Sequence, residues 1–200
     1  MEASEPRPAR SRRSDAQRNR ERLIAVARDA FAAAVDTVAL ETVARGAGVG
    51  IGTLYRHFPT REALVEAVYA AELDALTAGA ADLLAQLPPD AALRAWMRRY
   101  ADFAARKRGI IDTLRAGWAS GRLTTPATRE RITEAIDVIL TAGVGVAGFR
   151  SDVTAADVTA MLLGVFLSTA TNPTAGQTSR LLDLTVDALR APPTLITPQL

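Results

Sequence analysis

Apolar residues recur at every third or fourth position along nearly the whole chain, and strand-like alternation is almost absent. A chain patterned this way can bury its apolar side chains only by packing helix against helix. After Ser14-x-x-Gln17, a pair of capping-box form, Leu23, Ile24, Ala27, Ala30 and Phe31 keep helical spacing, which predicts a first helix over about residues 15–34. Leu40, Val43 and Ala44 mark a short second helix closed by Gly46-Ala47-Gly48, and a short third one covers Ile51 to about Arg56. Thr60 is placed to cap a fourth, whose apolar face carries Leu64, Val65, Val68, Tyr69, Leu73 and Leu76. Pro88-Pro89-Asp90 then interrupts, with Asp90 read as the cap of a helix through Trp96, Tyr100 and Phe103. Lys107-Arg108-Gly109 separates that helix from a shorter segment, Ile110 to Trp118. Thr125-Pro126 opens a long helix through Ile132, Ile136, Ile139 and Leu140. Two amphipathic helices follow, one after Thr154-x-x-Asp157 and one after Thr174-x-x-Gln177. The expected fold is all-α, with about nine helices, the first three compact and the rest a larger bundle.

Several functional classes drop out on residue types alone. There is no Cys, so disulfides, thiolate metal sites and cysteine nucleophiles are excluded, and the single His, His57, leaves metal binding without support. No cofactor is expected. No apolar run reaches the length of about 18 residues that spans a bilayer, and the basic N-terminal stretch lacks the apolar core of a signal peptide. The expected compartment is the cytoplasm, with no membrane partner. Gly143-Val-Gly145-Val-Ala-Gly148 fits the dinucleotide fingerprint, but that motif needs a strand before it and a helix opening on it. Here it follows a helical pattern and precedes a loop, so it reads as a helix end with Gly148 just beyond it. The glycines of AGVGIGTLYRHF lack the Gly-Lys-Ser/Thr of a phosphate loop, and no Gly-x-Ser-x-Gly accompanies His57. Nothing in the sequence supports an enzyme.

The charge distribution points elsewhere. Residues 1–28 carry eight Arg against four acidic residues, +4, whereas residues 63–200 carry thirteen basic and fourteen acidic residues, −1. A basic arm on a near-neutral body fits polyanion contact, and a solubilising tail is the alternative. Helix, short helix, tight Gly turn and short helix is the helix-turn-helix plan. Gly48 supplies the left-handed conformation such a turn requires, and Ala44, Ala47 and Val49 are compact enough for close helix approach. Leu54 turns inward and Phe58 seals the helix end. Ile51, Thr53, Tyr55, Arg56 and His57 point outward, a set able to contact phosphates and base edges.

At this level of detail the stretch from residue 18 to about 76, RNRERLIAVARDAFAAA and LETVARGAGVGIGTLYRHFPTREALVEAV, resembles the DNA-binding domain of the TetR family of transcriptional regulators. GTLYRHFPTREAL is the specific part of the match, and AGFRSDVTAADV is similar to sequences found before the penultimate helix in some members. The resemblance implies an all-helical homodimer that presents the third helix of each copy to a major groove. It implies that the last two helices form an intersubunit four-helix bundle, and that a pocket in the larger domain binds a small-molecule effector of unknown identity. It implies base or groove contacts from Ile51, Gly52, Thr53 and Arg56, and phosphate contacts from Tyr55, His57, Arg61 and Thr42. Two departures stand out: Gly50 opens the reading helix where Ser is frequent, and Val38-Ala39 precede the second helix where Ser or Thr is frequent. With few polar readers left, Arg56 is the residue suited to bidentate guanine readout, and Ile51 could meet a thymine methyl.

The resulting layout is a flexible basic arm over 1–14, a helix-turn-helix domain over 15–62, a ligand-binding and dimerisation domain over 63–190 and a flexible tail over 191–200. The stripes Val158, Met161, Leu162, Val165 and Leu181, Leu182, Val186, Leu189 are expected to bury each other across a two-fold axis, the alternative being their own subunit's core. Charge at Val165 or Leu182 is then expected to yield monomers. The candidate effector pocket is drawn from Trp96, Tyr100, Phe103, Asp112, Arg115, Trp118 and Phe166, each of which also reads as ordinary core or surface. The expected function is a ligand-responsive repressor bound to a palindromic operator as a dimer. An activator, a ligand-independent regulator and, remotely, a helical enzyme are the alternatives.

Overall fold

The structure is a computed structural model that describes residues 9–33, 38–107, 110, 113–114, 119, 127–171 and 174–191. Among the described residues it is all-helical apart from two isolated bridges, Val144 with Phe149 and Phe149 with Arg190. The helices are α1 (Ala9–Ala33), α2 (Leu40–Gly46), α3 (Ile51–His57), α4 (Arg61–Leu84), α5 (Pro89–Lys107), α6 (Thr128–Gly143), α7 (Ala155–Ser168) and α8 (Gln177–Ala188). The expected helix starting at Ile110 falls largely outside the described residues, as do Thr125 and Pro126. Two compact units divide the chain: Met1–Ala71 with Arg106–Thr125, and Glu72–Ala105 with Pro126–Leu200.

In the first unit α1 packs on both α2 and α3, and α2 on α3. The core is made by Leu23, Ala27, Val43, Leu54, Phe58, Leu64, Val65 and Tyr69, all essentially without solvent contact. Each large aliphatic side chain buried this completely contributes about 1.5–3 kcal/mol before the entropy of ordering it is subtracted. The start of α1 differs from expectation. The helix already runs at Ala9, so Ser14 lies inside it and not at its start, and residues 9–14 of the expected flexible arm are helical. No Gly or Pro interrupts residues 9–33, and the first described turns carry mutually supporting side-chain pairs, Arg18 with Asp15 and Gln17 with Glu21. A capping-box pattern is outweighed when good helix formers continue on its N-terminal side.

In the second unit α6 packs on α7 and α7 on α8. Its core holds Leu93, Trp96, Met97, Ile132, Ile136, Ile139, Val158, Leu162 and Val186. Ion pairs tie its helices at their margins: Arg94 of α5 reaches Asp183 at 2.6 Å and Asp187 at 2.9 Å on α8, and Arg131 of α6 reaches Asp74 of α4 at 2.7 Å. The expected box at α7 is complete. The Thr154 hydroxyl accepts from the Asp157 amide at 3.2 Å, and the Thr154 amide donates to the Asp157 carboxylate at 2.9 Å. Two other caps differ. α5 begins at Pro89, whose missing N–H costs nothing in a first turn, so Asp90 lies within that turn instead of capping it. α8 begins after Gly176, which is left-handed at φ 69°, and Thr174 accepts from the Gln177 amide through its backbone carbonyl instead of its hydroxyl.

The G-x-G-x-x-G stretch is a turn. Gly143 is the last residue of α6, and the Phe149 ring lies so close that a Cβ at Gly143 would stand 2.2 Å from it. Gly145 and Gly148 adopt φ of 79° and 66°, so Gly148 is left-handed but five residues past the helix end it was expected to cap. The returning segment bonds the end of α8: the Arg150 amide donates to Leu189 at 2.9 Å, and the Ala191 amide to Gly148 at 2.7 Å.

Candidate nucleic-acid interface

The turn between α2 and α3 is built by backbone hydrogen bonds. The amides of Ala47, Gly48 and Val49 donate to the carbonyls of Val43, Arg45 and Ala44, each at 3.0 Å. Gly48 takes φ 66°, which a side chain would strain, so this glycine is demanded by the bend. Gly46 has a different task. A Cβ there would lie 2.8 Å from Val26 Cγ1, so its bareness lets α2 sit against α1. Gly50 caps α3 in an extended conformation with no side-chain bond, and its carbonyl accepts from Thr53 at 2.9 Å. Gly50 and Gly52 have open space where a Cβ would stand, and neither has positive φ. The fold asks for glycine at 46 and 48 and is indifferent at 50 and 52.

Leu54 and Phe58 fix α3 from beneath, both buried, and the Phe58 amide closes the helix on the Leu54 carbonyl at 2.8 Å. The rest of the seven-residue helix faces out. Among the described residues of this unit, Ile51 and Tyr55 are the exposed large apolar side chains, Tyr55 at 46 % of its possible surface. Gly52 and Arg56 are exposed, Thr53 and His57 half-buried, and Thr42 is exposed on α2. The outward set read from the sequence is therefore brought together on one short helix and its neighbour.

Arg61, to which the resemblance gives a phosphate contact, has partners within the unit. Its guanidinium donates to the Val38 carbonyl and lies 5.4 Å over the Phe31 ring. α2 has no side-chain cap at Ala39, and Arg61 instead fastens the residue before it to the start of α4. The cation expected to hold a phosphate is half-buried and already has one donor on a carbonyl within the unit. Two further cations lie outside the expected set. Arg45 on α2 is exposed and, among the described residues, forms no ion pair, a property it shares with Arg56. Arg20 of α1 places its guanidinium 5.2 Å over the Phe58 ring. Sequence spacing carries no signal for either, because both follow from how α1, α2 and α3 pack.

In the second unit the aromatic residues proposed for a ligand pocket do converge. Trp96 and Tyr100 ring centres are 5.5 Å apart, Tyr100 and Phe103 6.3 Å, and Phe166 meets Tyr100 edge-on at 4.8 Å. All four are buried, and the Trp96 indole donates to the Leu76 carbonyl at 2.9 Å. Asp112, Arg115 and Trp118 lie outside the described residues. An open groove elsewhere in this unit is lined by Asp74, Thr77, Arg131, Glu134 and Val138, and none of the aromatic four reaches it.

The expected dimer stripes need correction. Val158, Leu162, Leu182, Val186 and Leu189 are buried within the single chain and cannot meet a second copy. They are the most apolar faces of α7 and α8, and the chain's own core takes them. The opposite faces retain Met161 at 42 %, Leu167 at 75 % and Leu184 at 62 % exposure, with Val165 and Leu181 half-buried at the margin. Leu167 and Leu184 are absent from the expected stripes. Charge at Leu182 would therefore break the core and says nothing about association.

Comparison with known proteins bears on both units. Residues 23–68 match the family described as bacterial regulatory proteins, tetR family, and residues 88–191 match the C-terminal domain described as transcriptional regulator SbtR-like. The chain is similar to a TetR transcriptional regulator from Streptomyces coelicolor, with 44 % identity, 86 % of this chain and 98 % of that one covered, and a TM-score of 0.76. It is similar to a TetR transcription regulatory protein from Mycobacterium vanbaalenii, with 33 % identity, coverage of 90 % and 99 %, and a TM-score of 0.70. An HTH-type transcriptional regulator from Staphylococcus aureus is 33 % identical over 79 residues, which span 38 % of this chain and 41 % of that relative.

Proposed function

The chain belongs to the TetR family of bacterial transcriptional regulators, and from that premise we propose that it is a ligand-responsive repressor that binds a palindromic operator as a homodimer. The observation that carries this reading is the outward face of α3, where Ile51, Gly52, Thr53, Tyr55 and Arg56 stand over an anchor of Leu54 and Phe58. Arg56 reads a guanine through its paired N–H donors, and Ile51 and Gly52 lie against the groove beside it. Thr42, Tyr55 and His57 hold phosphates, while Gly50 caps the helix without adding a contact of its own. Arg61 acts from inside, by positioning α2. Two copies related by a two-fold axis place their reading helices in half-sites about 34–36 Å apart. The repressor acts in the cytoplasm, and among the described residues no helix is long and apolar enough to cross a membrane. The effector enters the second unit at the cluster of Trp96, Tyr100, Phe103 and Phe166.

Selection from a random duplex pool by the full chain tests the reading. It should enrich a two-fold symmetric sequence, and Arg56→Ala should lose about 1–3 kcal/mol of preference for it over unselected duplex. A pool that shows no enrichment, or an Arg56→Ala chain with undiminished preference, overturns it.

A further inference from the structure

Three arginines of α1 are partnered on their own helix: Arg18 with Asp15, Arg22 with Asn19 and Arg28 with Asp29. Arg20 is different. It is exposed, forms no ion pair among the described residues, and lays its guanidinium over the ring of Phe58, 5.2 Å from the ring centre. Phe58 is the buried residue that closes α3, directly after His57. A permanent cation from α1 is thereby held at the end of the reading helix, on the same packed unit as the exposed Tyr55 and Arg56.

A cation over the face of an aromatic ring is held by the ring's negative quadrupole, and a guanidinium carries five N–H donors. Held in this way at the end of the reading helix, the group still has donors for a phosphate oxygen. Arg61, by contrast, already donates to the Val38 carbonyl. We propose that Arg20 is a phosphate-binding residue of the DNA interface, held in place by Phe58. The proposal rests on the DNA-binding reading above.

The test is a salt titration of binding to the duplex the unmodified chain selects, comparing that chain with Arg20→Gln and Arg20→Lys. Glutamine keeps part of the stem over Phe58 and removes the charge; lysine keeps the charge. If Arg20 neutralises one phosphate in each bound copy, the slope of log K against log salt should flatten by about 0.9 per copy in Arg20→Gln and stay parental in Arg20→Lys. A parental slope in Arg20→Gln, or an equal flattening in both variants, overturns the proposal, because a purely structural role lowers affinity without following charge. Failure of the unmodified chain to select any duplex is a separate outcome and sinks the DNA reading itself.

Discussion

Single positions around α3 divide into those the fold requires and those it leaves open, and the two kinds predict opposite phenotypes. Gly48 at φ 66° is required, and Gly48→Ala should destabilise the protein by about 1–2 kcal/mol in chemical denaturation. Gly52 is helical, exposed and unobstructed, so Gly52→Ala should leave stability unchanged or raise it by up to about 1 kcal/mol. Its added methyl would instead stand where a base edge or sugar approaches, and affinity for the selected duplex should fall. Joint loss of stability and affinity in Gly52→Ala would place this glycine in the scaffold. Arg61→Ala should behave in the reverse sense. It frees the Val38 carbonyl and uncovers Phe31, so the melting temperature should drop while the salt slope of binding stays parental. The residue types at 48, 54 and 58 were legible in the sequence because turn geometry and helical spacing dictate them. Gly46 against Val26, Arg61 at Val38 and Arg20 on Phe58 were not, since each depends on a neighbour that is remote in the chain.

At the scale of the helix, local chemistry was readable at α7, where the whole cap lies within four residues and nothing on its N-terminal side continues the helix. Thr154 and Asp157 form the expected box, and the hydrogen bonds from the Thr154 hydroxyl and amide hold the Asp157 carboxyl below its ordinary value. A lowered folded-state pKa stabilises the fold above the unfolded value and loses that contribution as pH falls through the folded one. Asp157→Asn should therefore melt earlier than the parent at neutral pH, with the difference shrinking as the solution is taken into the acidic carboxylate range. A difference that persists unchanged at acid pH would assign the effect to packing. Ser14 fails as a cap for the opposite reason: its box pattern is met locally, but nothing in residues 9–13 stops the helix. Periodicity likewise tells which faces of α7 and α8 are apolar, but an apolar stripe has no label for what covers it. The strongest stripe, Val158-Leu162-Phe166, goes to the chain's own core.

That assignment alters what association of two chains has to use. Each copy is left with a weaker apolar surface on the outer sides of α7 and α8, centred on Met161, Leu167 and Leu184 and edged by Val165 and Leu181. Three exposed large side chains on two adjoining helices are more than scattered surface residues usually amount to, and a two-fold contact would cover both copies with one patch. Leu167→Glu with Leu184→Glu changes only this exposed surface, so far-UV dichroism should stay parental while sedimentation velocity shifts from the proposed dimer to monomer. Binding to the full palindrome should weaken at the same time, because two separate half-site events replace one bivalent event, and the affinity for an isolated half-site should persist. Leu182→Glu provides the contrast: a carboxylate forced into the core of the second unit should cost several kcal/mol and unfold the chain before any change in assembly can be read. A dimer that survives the double substitution would move the two-fold contact off α7 and α8.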